Sequence, residues 1–298
     1  VTGQTRSCFL LVDKEQGWTS HDVVAKVRRH VGGKVGHAGT LDPMATGLLV
    51  LGIGGATRLL RFIQGAPKEY LATAQLGVAT DSLDADGAIL SREPMPVDEA
   101  QVSDALERFC GDILQIPPMV SARKVEGRRL YELAREGKII EREARPVTIE
   151  RLELIDFAPS DYPLMTFRTV CSTGTYVRTL ADDIARALGG RAHLTALRRV
   201  ANGSLHVNDA SHVQTIIEAA DDERINELVL SPAQALASLP EIRVDDATEF
   251  RVRNGRSLAT SDVGQTLSEH VRVSTRTGDL LAVYRRTSDT LEPEVVLA

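Results

Sequence analysis

The chain has 298 residues, 43% of them hydrophobic and 26% charged, enough for one large globular domain and a small appended one. No apolar run approaches the roughly 20 residues that cross a bilayer, so no membrane partner is expected. The net charge of −6 speaks weakly against a nucleic-acid partner, but the charge is segregated. Acids crowd residues 81–107 against Arg92 alone, whereas Arg186, Arg191, Arg198 and Arg199 stand in 186–199 without an acid. A local basic face of that kind can still bind phosphates. Residues 1–7 lack the basic stretch and apolar core of a secretory signal, and a cytoplasmic location is expected. Cys8, Cys110 and Cys171 are too few and too scattered for a disulfide framework or a zinc cluster, so no metal is expected.

In chain order, residues 10–12 read as a short apolar strand. Gly17 breaks the chain, Thr19 or Ser20 caps a helix, and Val23, Val24, Val27 and Val31 share one face of it. Gly32-Gly33 ends that helix. A loop rich in Gly, Asp and Pro is predicted over 36–47, and then a buried strand over 48–51. Residues 70–76 alternate and predict another strand. Residues 98–109 predict an amphipathic helix carrying Val102, Leu106 and Phe109. A strand follows over 165–171, and Val177, Leu180, Ile184 and Leu188 mark a helix ended by Gly189. Strands and helices mix without regular βαβ alternation, which predicts an α+β fold. The charged stretch 121–146 reads as an insertion over a site or an exposed helix and loop. After Pro240 the texture changes to short β-like segments, with turns at Asn254-Gly255 and Gly278-Asp279. A boundary is placed near 238, giving domains 1–238 and 239–298.

Taken singly, the candidate residues have plain readings. An Asp-Pro pair such as Asp42-Pro43 is usually a turn. Tyr70 suits a strand-edge core, and Arg178 a surface. The longer pattern changes this. Residues 36–47, Gly-His-Ala-Gly-Thr-Leu-Asp-Pro-Met-Ala-Thr-Gly, resemble the G-H-x-G-T-L-D-P-x-A-T-G signature of the TruB family, bacterial tRNA pseudouridine-55 synthases. Other pieces match in the family's order. Asp13-Lys14, Gly17 and Thr19-Ser20 come first, then Lys68-Glu69-Tyr70, then Thr80-Asp81 with Asp84-Ala85-Asp86-Gly87. Pro117-Pro118-Met119, Ser121-Ala122, Lys124, Gly127 and Leu130-Tyr131 follow. Last come Gly174-Thr175-Tyr176-Val177-Arg178 and His193-Leu194 with Leu197-Arg198-Arg199. Glu15 stands where the family has proline, and Leu205 where an aromatic is common.

The resemblance implies a pseudouridine synthase fold: a mixed, largely antiparallel sheet flanked by helices, with a small β-rich PUA-like RNA-binding domain over 239–298. The implied reaction isomerises uridine 55 in the T-loop of tRNA. It cuts the uracil N1–C1′ bond, turns the base and rejoins it through C5, which loses its proton. No cofactor is expected, and the sequence carries no Walker loop, zinc-ligand spacing or complete GxGxxG. By resemblance Asp42 is the nucleophile, Arg178 the cation that keeps it ionised, and Tyr70 the aromatic that stacks on the flipped base and takes the C5 proton. His37, Tyr176, Leu197 and Lys14 are expected to bind substrate, with Arg198 and Arg199 placed to meet phosphates. The expected partner is the T-arm stem-loop of tRNA, with no obligate protein partner and a monomeric chain. Two other readings remain: a non-catalytic tRNA-binding or folding protein, and a hydrolase using Asp42 as general base. The hydrolase lacks a recognisable second acid.

Overall fold

The computed structural model describes residues 7–119, 124–125, 128–129, 140–260 and 268–297. Most of the predicted insertion 121–146 therefore lies outside the described residues, as do Ser121-Ala122, Gly127 and Leu130-Tyr131 of the matched motifs. Strand β1 (Cys8–Lys14) buries both faces through Phe9, Leu10, Leu11 and Val12 and so runs inside the sheet. Helix α1 (Ser20–Val31) starts where a capping box allows it. The Thr19 side chain accepts from the Asp22 N–H, and the Asp22 carboxylate accepts from the Thr19 N–H. Gly32, at φ 72°, ends the helix, and Val23 and Val27 are fully buried beneath it.

Strands β2 (Val35–Ala38), β3 (Thr46–Ile53), β4 (Lys68–Leu76), β5 (Gly111–Gln115), β6 (Arg145–Ala158), β7 (Leu164–Cys171) and β8 (Ala192–Asn202) complete the main framework. Their order is β1-β3-β8-β4-β7-β6-β5, with β2 added beside β3. Every pair in that path is antiparallel except β3 with β8, which meet in parallel at Thr46–Arg198 and Gly47–Arg199. The sheet is thus mixed and largely antiparallel, as expected. Helices α2 (Glu99–Glu107), α3 (Val177–Ala187) and α4 (Val213–Asp221) join α1 over one face, where Val102, Leu180, Ile184 and Ile216 belong to one core with Tyr70, Ala72, Phe167 and Leu194. The loop predicted over 36–47 is shorter than expected. Gly36, His37 and Ala38 form β2 because they pair with Gly52, Leu51 and Val50 of β3, a tertiary partner that local composition does not reveal.

A second sheet contains β9 (Glu241–Arg243), β10 (Leu258–Ala259), β11 (His270–Ser274), β12 (Leu280–Arg286) and β13 (Thr290–Val296), in the order β9-β11-β12-β13-β10. Gly278, at φ 95°, makes the turn from β11 to β12 where one was predicted. The turn predicted at Asn254-Gly255 is present too, but it follows a helix rather than joining two strands. It closes α5 (Asp246–Arg253), which Asp245 caps through the Thr248 N–H. Leu280, Val283 and Val295 share a core with Phe9, Leu11, Leu48 and Val50, so the second sheet packs on the face of the first that lies away from α1 and α3. Among the described residues, no helix is long and apolar enough to cross a membrane.

Candidate active site

Side chains alternate across a strand, so register decides which residues share a face. Tyr70 pairs with Arg199 and Ala72 with Leu197 across β4 and β8. On the other edge of β4, Lys68 pairs with Cys171 and Tyr70 with Thr169. Lys68, Tyr70, Leu197 and Arg199 therefore project to one side. They form the floor of a cleft of about 250 Å³. One wall is the loop from Gly39 to Asp42; the other is Ser172 to Arg178, which leads into α3.

The loop that carries Asp42 is held along its length. Ser20 Oγ accepts from the Leu41 N–H at 2.9 Å. The Pro43 carbonyl accepts from the Gly17 N–H at 2.8 Å and from Lys14 Nζ at 3.3 Å. Gly47, at φ 96°, closes the loop where a Cβ would collide with the Arg199 carbonyl, so the β3–β8 junction requires glycine there. Asp42 thus sits on a fixed support, with 38% of its side chain still open to the cleft.

Its partner is Arg178, in the first turn of α3, with a side chain only 4% exposed. Arg178 Nε lies 3.1 Å from Asp42 Oδ2, and Nη1 lies 3.0 Å from Asp84 Oδ2. Nη1 also donates to the Ser82 carbonyl at 2.7 Å. Two carboxylates thus hold one buried guanidinium, which answers the high cost of burying it. Burial pushes the Asp42 carboxyl above its ordinary range; Arg178 opposes that rise and Asp84 adds to it. Burial likewise raises the Tyr70 phenol, with the adjacent Arg199 guanidinium opposing.

Residues 26–177 match the TruB family pseudouridylate synthase (N terminal domain), and residues 178–237 match the tRNA pseudouridylate synthase B C-terminal domain. The chain belongs to the TruB family of pseudouridylate synthases. It is 43% identical over 291 residues to the tRNA pseudouridine synthase B of Burkholderia mallei (strain NCTC 10247), covering 96% of this chain and 95% of that protein. The protein of the same name from Solibacter usitatus (strain Ellin6076) is 41% identical over 277 residues, covering 92% of this chain and 94% of the relative. A chain in the crystal structure of a Cbf5-Nop10-Gar1 complex superposes with a TM-score of 0.77 at 23% identity, over 99% of this chain and 85% of that one. At that identity the likeness is one of fold.

Asp42, Tyr70, Arg178, Tyr176, Leu197 and Arg199 all line the cleft. Three of the expected phosphate or substrate contacts, Lys14, Arg199 and Arg198, are engaged by other groups of the chain itself. Lys14 is fully buried behind the loop, where Nζ donates to the carbonyls of Glu15, Trp18 and Pro43; it supports Asp42 rather than meeting RNA. Arg199 is 1% exposed and its guanidinium bonds to the Leu48 and Gly39 carbonyls, so its donors are directed inside the fold. Arg198 points to the opposite face of the sheet, where it makes a two-pronged pair with Asp13 at 3.0 and 2.7 Å. His37 lies beside the cleft lining, its ring edge against His21 at 5.5 Å. Burial, then His21 and Arg199, lower its pKa.

Sequence reasoning passed over three residues of the site. Asp84 was seen only as part of a motif, although it is the second carboxylate on Arg178. Lys68 lies in the floor, its Nζ donating to the Gln64 and Ala66 carbonyls, and burial lowers its pKa to about 8. Gln115 grips the Tyr176 backbone twice, accepting from its N–H at 2.7 Å and donating to its carbonyl at 3.1 Å. Asp84 had a sequence signal: an aspartate in the matched Asp-Ala-Asp-Gly run with no cation near it in sequence. Gln115 had none.

Proposed function

We propose that this chain converts uridine to pseudouridine at position 55 in the T-loop of tRNA, with Asp42 as nucleophile on a flipped-out base. One observation carries the reading: the half-open Asp42 carboxylate lies 3.1 Å from the buried Arg178 guanidinium, in the same cleft as Tyr70. Burial disfavours the Asp42 anion, and the fixed Arg178 guanidinium favours it. It attacks C1′, or removes a sugar proton on a glycal path, as the N1–C1′ bond breaks. The uracil turns in the cleft against Tyr70, and C5 bonds to C1′ as the Asp42–C1′ bond breaks or, on the glycal path, as Asp42 returns the sugar proton. Tyr70 takes the C5 proton, and a proton ends on N1. The product is an isomer, so no oxidant, reductant or nucleotide enters the balance. The small cleft suits one nucleoside removed from its stack. We assign residues 1–238 to catalysis and the second sheet, 239–298, to holding the tRNA body.

The test is tritium release from tRNA labelled at uridine C5, under single-turnover conditions. Asp42→Asn is expected to lower the rate about 10⁴-fold or more while tRNA binding persists. Equal release from both proteins would sink the nucleophile assignment. Binding without release by the unaltered chain would favour a tRNA-binding protein over an enzyme.

A further inference from the structure

Arg199 is a buried arginine whose guanidinium donates to two backbone carbonyls and also hydrogen-bonds the Tyr70 side chain. Nε donates to Leu48 O at 2.7 Å and Nη2 to Gly39 O at 3.0 Å. Gly39 and Leu48 flank the segment that contains Asp42, so one planar guanidinium spans both ends of that loop. A Cβ added at Gly39 would lie 3.5 Å from Arg199 Nη1, so the loop runs directly against the guanidinium. The Arg199 backbone in turn pairs with Gly47 on one side and Tyr70 on the other. Arg199 is thus the point at which the Asp42 loop, β3 and the Tyr70 strand are tied together.

Such a placement is unfavourable for folding alone. An isolated buried cation costs several kcal/mol, and an apolar side chain of similar volume would fill the space without that cost. The neighbours make it worse: Arg199 adds to the burial that lowers both Lys14 and Lys68 to about 8. The group that gains from it is the Tyr70 phenol. Arg199 from β8, Cys171 from β7 and Asp42 from the loop are the titratable groups that act on it; Cys171 and Asp42 raise its pKa, and Arg199 lowers it.

We propose that Arg199 is a positioning residue for the isomerisation: it fixes both ends of the Asp42 loop and orients the Tyr70 hydroxyl, so the chemical step depends on it and tRNA affinity does not. This rests on Asp42 and Tyr70 being the reacting pair. The test compares single-turnover tritium release and tRNA Kd for the unaltered chain, Arg199→Lys, Arg199→Gln and Asp42→Asn, from mildly acid to alkaline pH. Arg199→Gln is expected to slow release about 100-fold, the scale of a reacting group displaced by roughly 1 Å. Kd should stay unchanged, and the limb of the rate profile that follows the Tyr70 phenol, alkaline of the Asp42 limb, should move to higher pH. Arg199→Lys keeps the charge and loses the fork, so it should recover part of the rate and bring the limb back. An unaltered rate for Arg199→Gln, an equal loss at every pH, or a parallel loss of tRNA affinity would overturn the proposal. If thermal melts show that Arg199→Gln does not fold, Arg199→Lys decides alone: a full rate with an unshifted profile overturns it. Asp42→Asn separates the two readings, because full release from that variant would remove the site itself, whatever Arg199 does.

Discussion

The cleft side of the large sheet and the core of the second sheet are built on opposite terms. The first buries Lys14, Lys68, Asp84, Arg178 and Arg199 among its apolar side chains. The second packs Val252, Leu258, Val271, Val273, Tyr284 and Leu291, with Ser274 its buried polar side chain among the described residues. Buried apolar area stabilises directly, whereas buried ions at best offset their own desolvation. The large sheet carries the larger apolar core as well, so the difference lies in the buried charges that, among the described residues, it alone holds in place beside that core. Substitutions in the two regions should therefore fail in different ways.

Away from the reacting residues, the largest expected effect is on stability in the second sheet. Leu291 is fully buried and pairs with Leu258 and Arg286. Leu291→Ala should cost about 3 kcal/mol of unfolding free energy, from lost transfer energy and the cavity left behind. Chemical denaturation measures it, and single-turnover release at saturating tRNA should be unchanged. A slower bound-state rate would break the division between the regions.

Asp84→Asn should do the reverse. It leaves Arg178 held by one carboxylate and should slow release about 10–100-fold, or about 1.4–2.7 kcal/mol of barrier. The pH dependence gives it a sign. Asp84 raises the Asp42 pKa, so removing its charge lowers that pKa. Asp42 is active as the anion, and its activity is lost as pH falls through its pKa. The acid limb of the rate profile should therefore move to lower pH in Asp84→Asn, even as the maximum rate drops. A limb moved to higher pH would show that Arg178 had left Asp42.

What the sequence made legible follows the same division. Single strands and helices with regular periodicity, such as α1, β4, β7 and α3, were readable because their apolar positions follow one period. The two longest strands were not. In β6, irregular pairing at Ile149/Arg151 and Leu154/Asp156 shifts the alternation twice. In β8 the inward position 199 is an arginine, so the strand reads as a basic run. The same residue shows why the site was only partly legible. Motif likeness located Asp42, Tyr70 and Arg178, but nothing in a run of two arginines says which one points inward. That is set by register against β4.

Arg198→Ala is the smallest effect and the sharpest test of that register. Adjacent residues on a strand face opposite sides, so Arg198 and Arg199 belong to different environments despite identical chemistry. The Arg198 side chain is 38% exposed and engaged by Asp13, on the face away from the cleft. A half-exposed pair of this kind contributes about 1 kcal/mol or less. Arg198→Ala should therefore lower stability slightly, leave release from bound tRNA intact, and leave the salt dependence of tRNA affinity unchanged, because its charge is already matched by Asp13. A shallower salt slope would mean that Arg198 exchanges Asp13 for a phosphate when tRNA binds. RNA would then reach around the sheet to the face that the second sheet covers, and the two regions would act as one binding surface.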